Sequence, residues 1–211
     1  MDQTLNDKLK TLLPFLEDAL LEEIISKSAF VTIPPQQQIV REGQFIKTIP
    51  LVLEGLVKVT TSHGDREILL YYIQPTQSCI MSFSVSLDNE PSKISAYTEE
   101  QTEILLLPLD EVKKWVLQYP SLNELFFKQF NLRYRDMIET IGELIFDKLD
   151  QRLLKYLQER ARLTDRKLLE ISHREIAEDL ATSREVITRT LKKLEEENHI
   201  LQMKGGIKVL A

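Results

Sequence analysis

The spacing of apolar residues changes character three times along the chain. From Leu5 to Ser28 it is helical, with Leu5, Leu9, Leu12, Leu13, Phe15, Leu16, Leu20, Leu21, Ile24 and Ile25 interrupted by Pro14. Proline breaks the intrahelical hydrogen-bond ladder, so two short helices are predicted, the second beginning near Phe15. From Phe30 to Pro108 the period is two, in Gln38–Val40, Leu51–Leu53, Leu56–Thr60, Glu67–Ile73 and Ile104–Leu107, punctuated by Gly43, Gly55, Gly64, Pro75 and Pro91. Many short strands with frequent turn signals predict an antiparallel sandwich or barrel. Helical spacing then returns, with a short helix over Pro108–Tyr119 and a long one from about Ser121 to Phe146.

The long helix is apolar on two sides. Phe127, Phe130, Tyr134, Met137, Ile141 and Leu144 alternate spacings of three and four, a seam of the a/d kind, while Leu125, Phe126, Leu132, Ile138 and Ile145 line another side. One side can cover the β-rich region and the other can meet a twin helix, which predicts a homodimer. A hinge is expected at residues 145–148, before the helix that starts at Leu149.

The last quarter of the chain holds two short helices joined by a tight turn. The first spans about Ser172 to Leu180 and turns the small residue Ala177 toward the crossing; Leu180-Ala181-Thr182 makes the turn. The second starts at Ser183, whose hydroxyl can accept from the free N–H groups of the first turn. At about 100° per residue, Arg184, Thr188, Glu185 and Arg189 fall within roughly 140° of one another, while Val186, Ile187, Thr190, Leu191 and Leu194 occupy the opposite side. The polar face carries groups able to read base edges: arginine can pair with guanine O6 and N7, and glutamate can accept from the cytosine amino group. Two glycines then turn a hairpin between His199–Met203 and Ile207–Leu210, giving a winged helix-turn-helix.

Ser183-Arg184-Glu185-Val186-Ile187-Thr188-Arg189, with Leu191-Lys192-Lys193-Leu194-Glu195 after it, resembles the DNA-binding domain of the bacterial Crp/Fnr family of transcription regulators. Arg41-Glu42-Gly43, Leu53-Glu54-Gly55-Leu56-Val57-Lys58-Val59 and Ser62-His63-Gly64-Asp65-Arg66-Glu67 resemble that family's cyclic-nucleotide-binding-like jelly roll. The resemblance implies an α+β chain: a β-roll domain with N-terminal helices over residues 1–120, a dimerisation helix and hinge over 121–147, and a winged helix-turn-helix over 148–211. It also implies a homodimer on double-stranded DNA, engagement of RNA polymerase, base reading by Arg184, Glu185, Thr188 and Arg189, and phosphate contacts from Ser172, His173, Arg174, Ser183 and Lys204.

Cyclic-AMP-binding members carry a glutamate for the ribose and an arginine for the phosphate in a two-part cassette. The corresponding stretches here are Ile80–Ser84, with Met81, Ser82 and Phe83, and Lys93–Ala96, with Ile94 and Ser95. Ser82 stands in the place of the glutamate and Ile94 in that of the arginine, and a buried phosphate without a cationic partner is costly. Lys93, if strand alternation holds, points to the opposite face. The pocket is therefore expected to be degenerate and blind to cyclic AMP, with the effector unknown.

Composition narrows the chemistry further. Net charge is -6 over 211 residues, yet from Lys148 onward 14 Lys and Arg face 11 Asp and Glu, so the last segment is net positive. That asymmetry suits a DNA-contacting C-terminus. One cysteine, Cys79, and three separated histidines, His63, His173 and His199, provide no internal disulfide and no ligand cluster for zinc or iron-sulfur, so no metal and no cofactor are expected. Neither a nucleophile–base pair nor a phosphate-cradling glycine loop is present to suggest an enzyme. The polar N-terminus and the lack of a long apolar run lead us to expect a cytoplasmic protein without a membrane span.

Overall fold

The computed structural model describes residues 2–63, 66–87, 90–146 and 148–210. It divides into two compact units, Met1–Thr61 with Leu70–Tyr134 and Ser62–Leu69 with Arg135–Ala211. In chain order, the described elements up to the long helix are α1 (Asp2–Leu12), α2 (Asp18–Lys27), β1 (Ala29–Ile33), β2 (Gln38–Val40), β3 (Thr48–Glu54), β4 (Val57–His63), β5 (Arg66–Ile73), α3 (Ile80–Leu87), β6 (Ser95–Thr98), β7 (Thr102–Pro108), α4 (Leu109–Gln118) and α5 (Pro120–Phe146). They are followed by α6 (Leu149–Thr164), β8 (Leu168–Leu169), α7 (His173–Asp179), α8 (Arg184–Glu196), β9 (Ile200–Met203) and β10 (Gly206–Val209). Asp147, in the expected hinge, lies outside the described residues.

The strands of the roll form two sheets, ordered β1-β7-β3 and β2-β6-β4-β5. Strand β3 is buried at five consecutive positions, Ile49 to Leu53, so both its faces are covered and the two-residue period vanishes there. Its core merges with Leu9 of α1, Leu13 just beyond it, Leu20 and Ile24 of α2 and Val112 and Trp115 of α4. Gly55 is required by crowding: its φ is +92°, and a Cβ would meet the Thr102 hydroxyl oxygen at 2.6 Å and the Gln101 carbonyl at 2.7 Å. Glu23 of α2 ties the helices together, its carboxylate accepting from Lys27 at 2.7 Å, from Trp115 Nε1 at 2.9 Å and from Tyr119 Oη at 2.7 Å. These donors, Lys27 first, hold its pKa down to about 2.

Several elements differ from the sequence expectation. Helix α2 begins at Asp18 rather than near Phe15, because Leu13 and Leu16 are both buried and the chain turns between them, with Leu16 N–H on the Leu13 carbonyl at 3.1 Å. Ile80–Leu87 is a helix, and β1, β6 and β8 are strands that alternation did not delimit. Lys93 is not in a strand: the Ser92 hydroxyl donates to the Ile94 carbonyl at 2.8 Å and accepts from Ile94 N–H at 3.2 Å, bending the chain. Lys93 then reaches outward to pair with Glu90 at 2.7 Å.

Candidate nucleic-acid interface and effector region

In the C-terminal unit, Leu153 and Leu157 of α6, Ile176 of α7, Ile187, Leu191 and Leu194 of α8, Ile200 and Ile207 share one apolar core. Both short helices are started by their serines. Ser172 Oγ accepts from Glu175 N–H at 3.1 Å while the Glu175 carboxylate accepts from Ser172 N–H at 2.9 Å, a reciprocal cap. Ser183 Oγ accepts from Val186 N–H at 3.3 Å. The turn between the helices places Ala181 at φ +53°, a left-handed conformation that costs a non-glycine residue about 1–2 kcal/mol. Thr182 N–H on the Ala177 carbonyl at 2.9 Å, and Tyr156 Oη donating to the buried Asp179 carboxylate at 2.6 Å, hold the turn against α6.

Helix α8 is two-faced. Ile187, Leu191 and Leu194 are buried, Val186 and Thr190 half-buried, and Arg184, Glu185, Thr188 and Arg189 exposed. The carboxylate of Glu185 is held below its usual range by its own backbone N–H, then by the Ser183 hydroxyl and by the charges of Arg184 and Arg189. Ser172, Arg174, Ser183 and Lys204 are also exposed, and His173 half-buried. Arg174 pairs through its Nε with Glu178 at 2.8 Å.

The wing is tied to α8. Glu195 accepts from Gln202 N–H at 2.7 Å and from its side-chain amide at 2.9 Å. A Cβ on Gly206 would collide with the Leu169 carbonyl, so β8 fits against β10 only with glycine there. At the other edge Lys193 of α8 contacts Asp150 of α6. Sequence reasoning missed this pair, the Tyr156–Asp179 bond, the Glu195 clasp and the contact of His173 with Thr188. Each joins residues with no shared local pattern; a charged residue inside an apolar helix face, as at Asp179, was the available signal for one of them.

On α5, Phe127 is 68% exposed, Phe130 39%, Tyr134 59%, Met137 52% and Ile141 49%. Ile138, placed by its spacing on the other apolar side, is exposed as well. The side chain of Leu144 lies outside the described ones. The opposite side of the helix is seated on the roll by Leu122, Leu125 and Phe126. The buried Gln129 also anchors it there, accepting from Ser78 N–H at 2.9 Å and from its hydroxyl at 3.0 Å.

The stretches expected to form a degenerate effector pocket are packed with the chain's own side chains. Ile94 and Ser82 are fully buried, the Ser82 hydroxyl facing the Cys79 sulfur at 3.0 Å. Phe83 of α3 stacks on Phe126 of α5 with ring centroids 4.5 Å apart. Ser95 Oγ accepts from Glu42 N–H at 3.2 Å, and Met81 is half-buried. Burial pushes the Cys79 thiol up, away from the reactive thiolate. Arg133 of α5 brings a cation to the roll, lying over the Tyr71 ring at 4.2 Å and donating to the Gln77 side chain at 2.6 Å. Among the described residues no His, Cys, Asp and Glu gather as a metal site, and no helix is long and apolar enough to cross a membrane.

Residues 30–119 match the family model described as Cyclic nucleotide-binding domain, and residues 151–211 that of the Crp-like helix-turn-helix domain. The chain is 25% identical over 177 residues to the Cyclic AMP receptor protein of Thermus thermophilus, 83% of this chain and 81% of that protein. A protein of the Crp/Fnr family from Eubacterium rectale superposes with a TM-score of 0.80 at 22% identity, over 95% of this chain and 93% of that one. CLP of Xanthomonas campestris, a c-di-GMP-responsive global regulator, superposes with a TM-score of 0.80 at 18% identity, over 92% of this chain and the whole of that one.

Proposed function

We propose that this chain, which belongs to the Crp/Fnr family of DNA-binding transcription regulators, works in the cytoplasm as a homodimer that reads a pseudo-palindromic operator and engages RNA polymerase there. One observation carries the reading. Helix α8 buries Ile187, Leu191 and Leu194 and offers Arg184, Glu185, Thr188 and Arg189 outward from a serine-capped first turn, where a recognition helix meets base edges. Arg184 and Arg189 take guanines and Glu185 a cytosine. Ser172, His173, Arg174, Ser183 and Lys204 take phosphates, which set the register without reading sequence. The exposed stripe on α5 supports the dimer, since two recognition helices on a twofold axis match half-sites about one helical turn apart.

Two of these similar proteins are named for cyclic AMP or c-di-GMP; for this chain we propose that neither cyclic AMP nor cyclic GMP is a ligand. Ile94 stands where the cassette's arginine would, and the Phe83–Phe126 stack fills the interior. The chain is not proposed to catalyse a reaction. Selection of bound sites from random duplex DNA, with no added ligand, tests the reading: a two-half-site consensus is expected, and recovery of unenriched sequence would overturn it.

A further inference from the structure

His173, the first residue of α7, lies with its Nδ1 3.0 Å from Oγ1 of Thr188 on α8. Thr188 is itself engaged, its Oγ1 lying 2.9 Å from the carbonyl oxygen of Arg184. A threonine hydroxyl has one proton, and a carbonyl can only accept. Both bonds are therefore made at once only if Thr188 donates to Arg184 and His173 Nδ1 carries a hydrogen that it donates to Thr188. The relay Nδ1–H to Oγ1–H to carbonyl fixes the tautomer. Nε2 of the neutral ring then carries a lone pair, and a phosphate oxygen offers only lone pairs in return. Adding a proton at Nε2 creates a donor and a positive charge while leaving the Thr188 bond intact.

We infer that His173 is a proton-gated phosphate contact: it clamps the recognition helix through Thr188 in both protonation states and grips an operator phosphate only as the imidazolium. The inference rests on the DNA-reading function proposed above. The charged groups around it are mixed. On α7, Arg174 is paired with Glu178, and Glu175 is committed to the Ser172 cap. On α8, the exposed Arg184 and Lys192, one turn either side of Thr188, carry positive charge and the exposed Glu185 carries negative charge. From α6, Arg152 and Tyr156 reach the far end of α7, at Leu180 and Asp179. An incoming phosphate adds the negative charge that draws the proton on. Binding thus takes up protons, and the operator is held more tightly as pH falls.

The test uses the full-length protein and an operator duplex from the selection described above, with dissociation constants measured at fixed ionic strength between about pH 8 and pH 6. For the unmodified protein we expect affinity to rise roughly tenfold over that range. Proton uptake should be visible by calorimetry in two buffers of different ionisation enthalpy. His173→Arg, a permanent donor, should bind with a flat pH profile and at least as tightly as the unmodified protein at low pH. His173→Ala should be flat and weak, whereas His199→Gln should keep the full pH response. A flat profile in the unmodified protein, or an unchanged slope in His173→Ala, overturns the proton gate. Absence of binding to any duplex at every pH would instead overturn the DNA-reading function on which it rests.

Discussion

Met137 sits in the middle of the exposed stripe on α5, and replacing it with glutamate is the sharpest probe of the proposed dimer. Fully burying a methionine side chain is worth about 1.5–3 kcal/mol, so the half that is exposed in one protomer holds about 1 kcal/mol, and a twofold interface counts it twice. Glutamate forfeits that contribution and sets two carboxylates against an apolar seam, where desolvation costs a few kcal/mol more. The total of at least about 4 kcal/mol corresponds to a thousandfold or greater rise in the dimer dissociation constant. Light scattering and sedimentation over a concentration series read it directly, with Met137→Leu as the volume-conserving control. Palindromic duplex should be lost together with the dimer, while the thermal transition of the protomer stays in place. A Met137→Glu protein that remains dimeric and binds the palindrome as before would show that the stripe is not the interface.

Arg184→Ala should lower affinity for the selected operator by about 1–3 kcal/mol and relax preference at one base pair; equal loss on every duplex would reassign Arg184 to the backbone. Millimolar cyclic AMP or cyclic GMP should leave both melting temperature and operator affinity unchanged, since a ligand at a hundred times its dissociation constant would stabilise by about 2.7 kcal/mol. A clear shift would point to Arg133, which already lies over Tyr71, as the recruited cation. Tyr156→Phe strips the buried Asp179 carboxylate of a donor and should destabilise the C-terminal unit by about 1–3 kcal/mol in chemical denaturation; an unchanged midpoint would mean that the bond contributes nothing net. Glu23, whose pKa falls from 4.5 unfolded to about 2 folded, lends stability that is complete above pH 4.5 and disappears as pH drops toward 2. Glu23→Gln should flatten the acid limb of the unfolding profile in that window, and an unaltered limb would exclude the carboxylate as its source.

What the sequence disclosed was local. The Ser183 cap could be read from its neighbours because capping involves only the first helical turn. The two faces of α8 followed from periodicity alone. Helix α3 escaped because Ile80-Met81-Ser82-Phe83-Ser84-Val85 has neither charge nor polar stripe and carries strand-favouring residues; burial of Ile80, Phe83 and Val85 in the roll outweighs that preference. Strand β8, two residues long, exists only as a partner for β10. Lys93 does point away from the buried Ile94, but the strand assumed for it is absent, because the Ser92 hydroxyl bends the chain just before one begins. Arg133 was invisible as a cation for the roll because it lies 62 positions beyond Tyr71, on another element.

The division of α8 into an inward and an outward face also sets the terms on which this regulator can evolve new targets. Arg184, Glu185 and Arg189 are exposed and outside the apolar core, so the base-reading residues proposed here can be exchanged at little cost to folding. Thr188 is different. Its hydroxyl is shared between the Arg184 carbonyl and His173, so on the proposed reading a substitution that removes the hydroxyl changes the base-facing surface and, in the same step, releases the His173 ring. On the proposed reading, drift toward a new operator is therefore easy at three positions and coupled to residue 173 at the fourth.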